Sequence, residues 1–120
     1  MAVKLRRYLR QDCVYWAKTG EDSSGRPVYA TNPVQLKCRW EDGAELITGM
    51  DTRSIICNAR VMFSQAVMTG GLLFLGTLAD WRRLKSYPRV PTKTEGGWQI
   101  IMAQHIPDRK GRNFFYQALL

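Results

Sequence analysis

The sequence predicts a mainly β domain: a small antiparallel β-barrel of about six strands, with long loops and at most one or two short helical turns. Three observations lead there. Apolar and polar residues alternate over several separate segments, which is the period of a strand with one buried face. Connections bearing Gly or Pro divide those segments at short intervals. No segment sustains helical apolar spacing over the length at which a helix is normally recognised.

In chain order, Leu5, Tyr8 and Leu9 fall at one-turn spacing and allow a short helical turn, and Cys13 to Ala17 reads as a short strand. The stretch Thr19 to Arg26, with Gly20, Gly25 and two serines, reads as a loop. From Pro33 to Glu41 the pattern is clearest: Val34, Leu36, Cys38 and Trp40 alternate strictly with Gln35, Lys37, Arg39 and Glu41. Trp40 ends that apolar face and is therefore expected in the core. A loop is predicted over Gly43 to Arg53. Ile55, Cys57, Ala59, Val61 and Phe63 then repeat the alternation, with Asn58 and Arg60 opposite, and place Val61 and Phe63 in the core.

The turn signal Thr69-Gly70-Gly71 precedes a short strand at Leu72 to Leu75. Asp80 can cap a short turn from Trp81 to Leu84, which Pro88 and Pro91 prevent from continuing. After a loop over Ser86 to Gly97, Trp98, Ile100, Met102 and Ile106 form an alternating set with Trp98 in the core. Phe114, Tyr116, Ala118 and Leu120 form the last set. The polar connection Pro107 to Arg112 predicts that these two strands pair as a hairpin.

A chain of 120 residues, 45% apolar and without linker or repeat, is read as one domain spanning 1–120. Its apolar runs, such as Leu72 to Leu75, are far too short to cross a bilayer, and no apolar stretch follows the charged N-terminus as a secretory signal would require. The expected location is the cytoplasm. Cys13, Cys38 and Cys57, odd in number and widely spaced, read as free thiols. The net charge of +8 calls for an acidic partner, with nucleic acid the first suspect, although the cations are spread along the chain in nothing longer than pairs.

No catalytic, cofactor-binding or metal-binding residue is predicted, and the chain is not expected to be an enzyme. A Cys–His nucleophile would have to use His105, the one histidine. The cysteines sit among alternating apolar residues, where a free Cys behaves as a small hydrophobe. They also lack the close spacing of structural zinc sites. Gly70-Gly71 has no Gly-Lys-Ser/Thr continuation, and Glu21-Asp22 and Glu41-Asp42 are adjacent rather than facing pairs. Trp81, flanked by Asp80, Arg82 and Arg83, is the aromatic expected to be an exposed contact.

Taken together, Arg7 to Gln11 leading to Tyr15-Trp16, the segment Lys37-Cys38-Arg39-Trp40-Glu41-Asp42, the strand ending Val61-Met62-Phe63, the turn Val67 to Gly71 before Leu72, Phe74 and Gly76, and the ending Tyr116 to Leu120 carry a resemblance. In their order and spacing the chain resembles the head-closure, or stopper, proteins of tailed double-stranded DNA bacteriophages. Gly71 is a departure, since relatives often carry Asp there. The resemblance implies a small β-barrel without active site or cofactor, found in the virion neck and, before assembly, in the host cytoplasm. Its implied partners are other copies in a sixfold or twelvefold ring, the portal or adaptor, the tail terminator or tail tube protein, and packaged double-stranded DNA; no membrane is involved. Within that reading Leu46, Ile47, Met50 and Arg53 are the candidate channel-closing loop, and Arg39, Glu41, Trp81, Arg82 and Arg83 the candidate interface contacts. The competing reading is a small basic OB-like or SH3-like barrel that binds single-stranded nucleic acid.

Overall fold

The computed structural model describes residues 9–48, 54–107 and 114–120. Its strands are β1 (Gln11–Trp16), β2 (Lys18–Glu21), β3 (Pro27–Tyr29), β4 (Val34–Thr48), β5 (Ser54–Phe63), β6 (Leu72–Leu75), β7 (Gly97–Gln99), β8 (Met102–Pro107) and β9 (Phe114–Leu119). Seven of them make one antiparallel sheet in the order β7-β6-β1-β4-β5-β9-β8, and β2 pairs with β3.

The two end strands of that sheet are consecutive in the chain, separated by Ile100 and Ile101. Ile100 bonds on one side to the Gly70–Gly71 turn before β6, accepting from Gly70 N and donating to Gly71 O, while Ile101 N donates to Leu119 O of β9 on the other. The chain therefore crosses from one end of the sheet to the other at this bend, and the sheet curls into a small barrel. With β7 and β8 counted as one bent strand, the curled sheet has the six strands that the alternation predicts.

The alternating sets fill the interior because period two puts every second side chain on the same face. Cys13, Cys38, Val61, Phe63, Leu73 and Ala118 are each 0% exposed and belong to one cluster with Tyr15, Leu36, Ile100 and Leu120. Trp40 and Trp98 are half-buried against it. Val34, at the start of the β4 alternation, is exposed.

Residues of β1 are buried on both faces, which a barrel alone does not explain. Val14 and Trp16 point outward, yet they are covered in a second cluster with Leu72, Phe74 and Trp81. The cover is the segment between β6 and β7, which contains a short helix α1 (Leu78–Arg82) and a 3-10 turn (Lys93–Glu95). Trp81 is 6% exposed; its ring meets Trp16 edge-on with centroids 5.3 Å apart, and its Nε1 donates to Arg89 O at 3.0 Å. The expectation of an exposed Trp81 is therefore corrected. In a helix this short one residue can face the barrel while its charged neighbours Arg82 and Arg83 face solvent.

Other elements also differ from expectation. Thr19 to Arg26 is not a plain loop but most of a β2–β3 hairpin, closed by Asp22 Oδ1 accepting from Ser24 N and Arg26 N, each at 2.9 Å. Its strands are mostly exposed, so they carry no apolar alternation for a sequence reading to detect. The predicted loop from Gly43 is partly strand: β4 continues to Thr48 and pairs with β5 through Glu45↔Cys57 to Thr48↔Ser54. The helical cap is Thr77 and not Asp80, which occupies the third helical position. Of the predicted N-terminal turn, Leu5 and Tyr8 lie outside the described residues. Gly71 has a steric reason: a Cβ there would stand 2.7 Å from the Tyr15 ring.

These burials separate two tryptophans that the sequence ranks the other way round. Trp81→Ala should destabilise the protein by about 3–5 kcal/mol, and half-buried Trp40→Ala by about half that. Urea unfolding of the two variants checks the ranking, and a larger loss for Trp40→Ala would contradict it.

Candidate functional site

The charged corner at the end of the β1–β4 ladder is tied together within the chain. That ladder ends at Gln11↔Cys38, and the Gln11 side chain extends it by accepting from Trp40 N at 2.6 Å. Trp40 Nε1 donates to Asp42 Oδ1 at 3.0 Å. Arg39 and Glu41, two apart and so on one face, pair at 2.8 Å with both side chains partly exposed. An exposed pair of this kind contributes at most about 1 kcal/mol.

Past this corner the β4–β5 register shifts between Asp42 and Glu45, with one extra residue on β4. The pair then continues as a ribbon in which Leu46 stands opposite Ile56 and Ile47 opposite Ile55. The β1 register stops at Cys38 and the β9 register at Arg60, so among the described residues no third strand pairs with the ribbon. Two-stranded ribbons are at best marginally stable alone, and open edges invite pairing. Of the candidate channel-closing residues, Leu46 and Ile47 lie in this ribbon; Met50 and Arg53 fall outside the described residues.

The second feature is the lobe over residues 77–96. Two capping boxes build it: Asp80 Oδ2 accepts from Thr77 N at 2.8 Å, and Glu95 Oε1 accepts from Thr92 N at 3.0 Å. Ser86 N donates to Glu95 Oε2 across the lobe, and Leu78 N donates to Gln35 Oε1, fastening the lobe to β4. These amide donors hold the Asp80 and Glu95 carboxyls below the usual carboxylate range. Both acids are thereby engaged inside the lobe, while Arg82, Arg83, Lys85, Arg89 and Lys93 are exposed. Among the described residues none of these five makes an ion pair. Gln35, Lys37 and Arg39 follow one another on the outer face of β4, so the candidate contacts Arg39, Glu41, Arg82 and Arg83 share the barrel's outer side. Lys85 and Arg89 escape a sequence reading because neither adjoins another cation; the turns of the lobe place both on one cleft, while Lys93 lines a separate one.

Inside the barrel, a hydrogen bond with the Cys38 thiol, together with burial, pushes the Cys13 thiol far above its ordinary value. A protonated thiol is a poor nucleophile and a poor metal ligand. Of His105 the structure describes the backbone, paired opposite Tyr116 in the β8–β9 ladder. Among the described residues no three His, Cys, Asp or Glu side chains gather as a metal site. In sequence, the chain matches no family model, and no curated protein matches it significantly.

The shifted groups give opposite pH dependences. Asp80 and Glu95, depressed in the fold, contribute stability that is present above the ordinary carboxyl range and lost as pH falls through their folded values. Cys13, raised in the fold, contributes stability that is present below the ordinary thiol range, about 8.5, and lost as pH rises beyond it. Melting temperature should therefore fall on both sides of neutrality, and Cys13→Ala should shrink the alkaline fall. An unchanged alkaline limb in that variant would show that the buried thiol is not its source.

Proposed function

We propose that this chain is a virion structural protein of the phage neck, forming a ring between portal or adaptor and tail that closes the DNA-filled head and offers the tail a docking platform. The observation that carries the reading is the succession of strand, Arg39-Trp40-Glu41-Asp42 corner, variable loop, strand, glycine turn and strand on a small barrel, the order on which the resemblance rests; part of that loop is the β4–β5 ribbon here. No catalytic role is assigned to any residue. The partners are other copies of the chain in a sixfold or twelvefold ring, the portal or adaptor, the tail terminator or tail tube protein, and packaged double-stranded DNA. The protein passes from the host cytoplasm into the virion.

In this reading the ribbon is the channel-closing element. Its edges, unpaired among the described residues, give each copy a surface for pairing with its neighbours at the ring centre, and Leu46 and Ile47 supply apolar residues there. A second reading, a small basic OB-like or SH3-like barrel for single-stranded nucleic acid, draws on the cationic lobe beside exposed Tyr87. It requires a monomer with submicromolar affinity that falls steeply with salt.

A phage lacking the gene should still fill heads and build tails. Electron microscopy of lysates should show finished free tails beside heads that packaged DNA and leak it. Procapsids that never packaged, or normal tailed particles, would each overturn the assignment. Shortening the ribbon by whole residue pairs, so that register is kept, should reduce DNA retention more than it reduces melting temperature. Equal losses would make the ribbon a folding element instead.

A further inference from the structure

Folding gathers into one lobe cations that the sequence keeps apart. We infer that the lobe over residues 77–96 is a docking surface for the phosphate backbone of duplex DNA, with the cleft between its two turns seating one phosphate. That cleft encloses about 510 Å³ and is lined by Lys85, Arg89, Thr92 and Thr94, with Ser86 and Glu95 on its wall.

The cleft suits an anion for two reasons. Lys85 and Arg89 outnumber the one carboxylate on its wall, Glu95, which accepts on Oε1 from Thr92 N and Oγ1 and on Oε2 from Ser86 N. Lys85 and Arg89 hold no ion pair that a phosphate would have to displace. The lobe is also pre-formed, because the two capping boxes and the Trp81 Nε1 bond to Arg89 O fix its turns before any ligand arrives.

Duplex is favoured over single strand by the aromatics. A single-strand groove offers successive stacking faces, whereas Trp16 and Trp81 are buried here. Tyr87 is 45% exposed, and its ring is engaged against Trp81 at 4.9 Å. The proposal rests on the neck reading only in taking the protein's DNA to be double-stranded.

Anisotropy titration of the full-length protein into a labelled 20-bp duplex, repeated from about 50 to about 200 mM salt, tests it. Each neutralised phosphate contributes about −0.9 to the slope of log affinity against log salt, so five cations give a slope of about −4.5. Lys85→Glu with Arg89→Glu should weaken binding at least about tenfold and reduce that slope by about 2. Arg83→Glu with Lys93→Glu, exposed elsewhere on the lobe, should act in the same direction and guards against misfolding of the first pair. Lys18→Glu with Arg26→Glu, the same charge change on the exposed β2–β3 hairpin, should cost less than about threefold.

Equal losses from lobe and hairpin pairs would reduce the effect to net charge and overturn the proposal. So would undetectable duplex binding at about 50 mM salt. Tighter binding of oligo-dT that Tyr87→Ala abolishes would assign the lobe to single strands, and preference for polyglutamate over the duplex would assign it to an acidic protein. The neck reading is decided separately by the null phage, so either can fail without the other.

Discussion

The bend at Ile100 and Ile101 is the constraint on which the rest of the structure depends. A seven-stranded antiparallel sheet has two open edges, and joining its end strands through two residues forces it to curl. The bend is secured on both sides by backbone hydrogen bonds and by Ile100, 1% exposed. Curling in turn gives the alternating faces of β1, β4, β5 and β9 a common interior.

Barrel closure leaves the outer faces of β1 and β6 apolar at Val14, Trp16, Leu72 and Phe74, and the segment before β7 has to cover them. Its path is tight: a side chain at Gly97 would collide with the Pro91 carbonyl, so the lobe's exit lies backbone against backbone on β7. Trp81 anchors the cover, and the two capping boxes absorb its acids. What remains for solvent is cationic. Packing thus creates the exposed charge of the lobe as a by-product of covering an apolar patch. The corner at Arg39 to Asp42 has the complementary task of guiding β4 out of the barrel into the ribbon.

Much of the fold is legible because alternation reports burial directly. The sets at Val34–Trp40 and Ile55–Phe63 are strands for the reason given from sequence, and the third set is one bent strand whose bend begins at its second apolar position, Ile100. The β2–β3 hairpin is invisible because strands exposed on both faces impose no pattern. The ribbon looked like a loop because Gly43 and the register shift break the period at its root. For the candidate site, Arg82 and Arg83 are visible as a pair, while Lys85 and Arg89 converge only through the turn around Pro88. Trp81 misled for the opposite reason: charged neighbours signal a solvent face, but one position in a single helical turn can still face the core.

The central claim is that this barrel stands between head and tail, with its ribbon toward the channel. Reconstruction by electron microscopy of the neck of intact tailed particles tests it most directly. The account predicts a ring of this barrel between portal or adaptor and tail, with the residue 45–57 ribbons converging on the axis. Particles that lack this chain, or a neck in which other proteins fill that position, would contradict it.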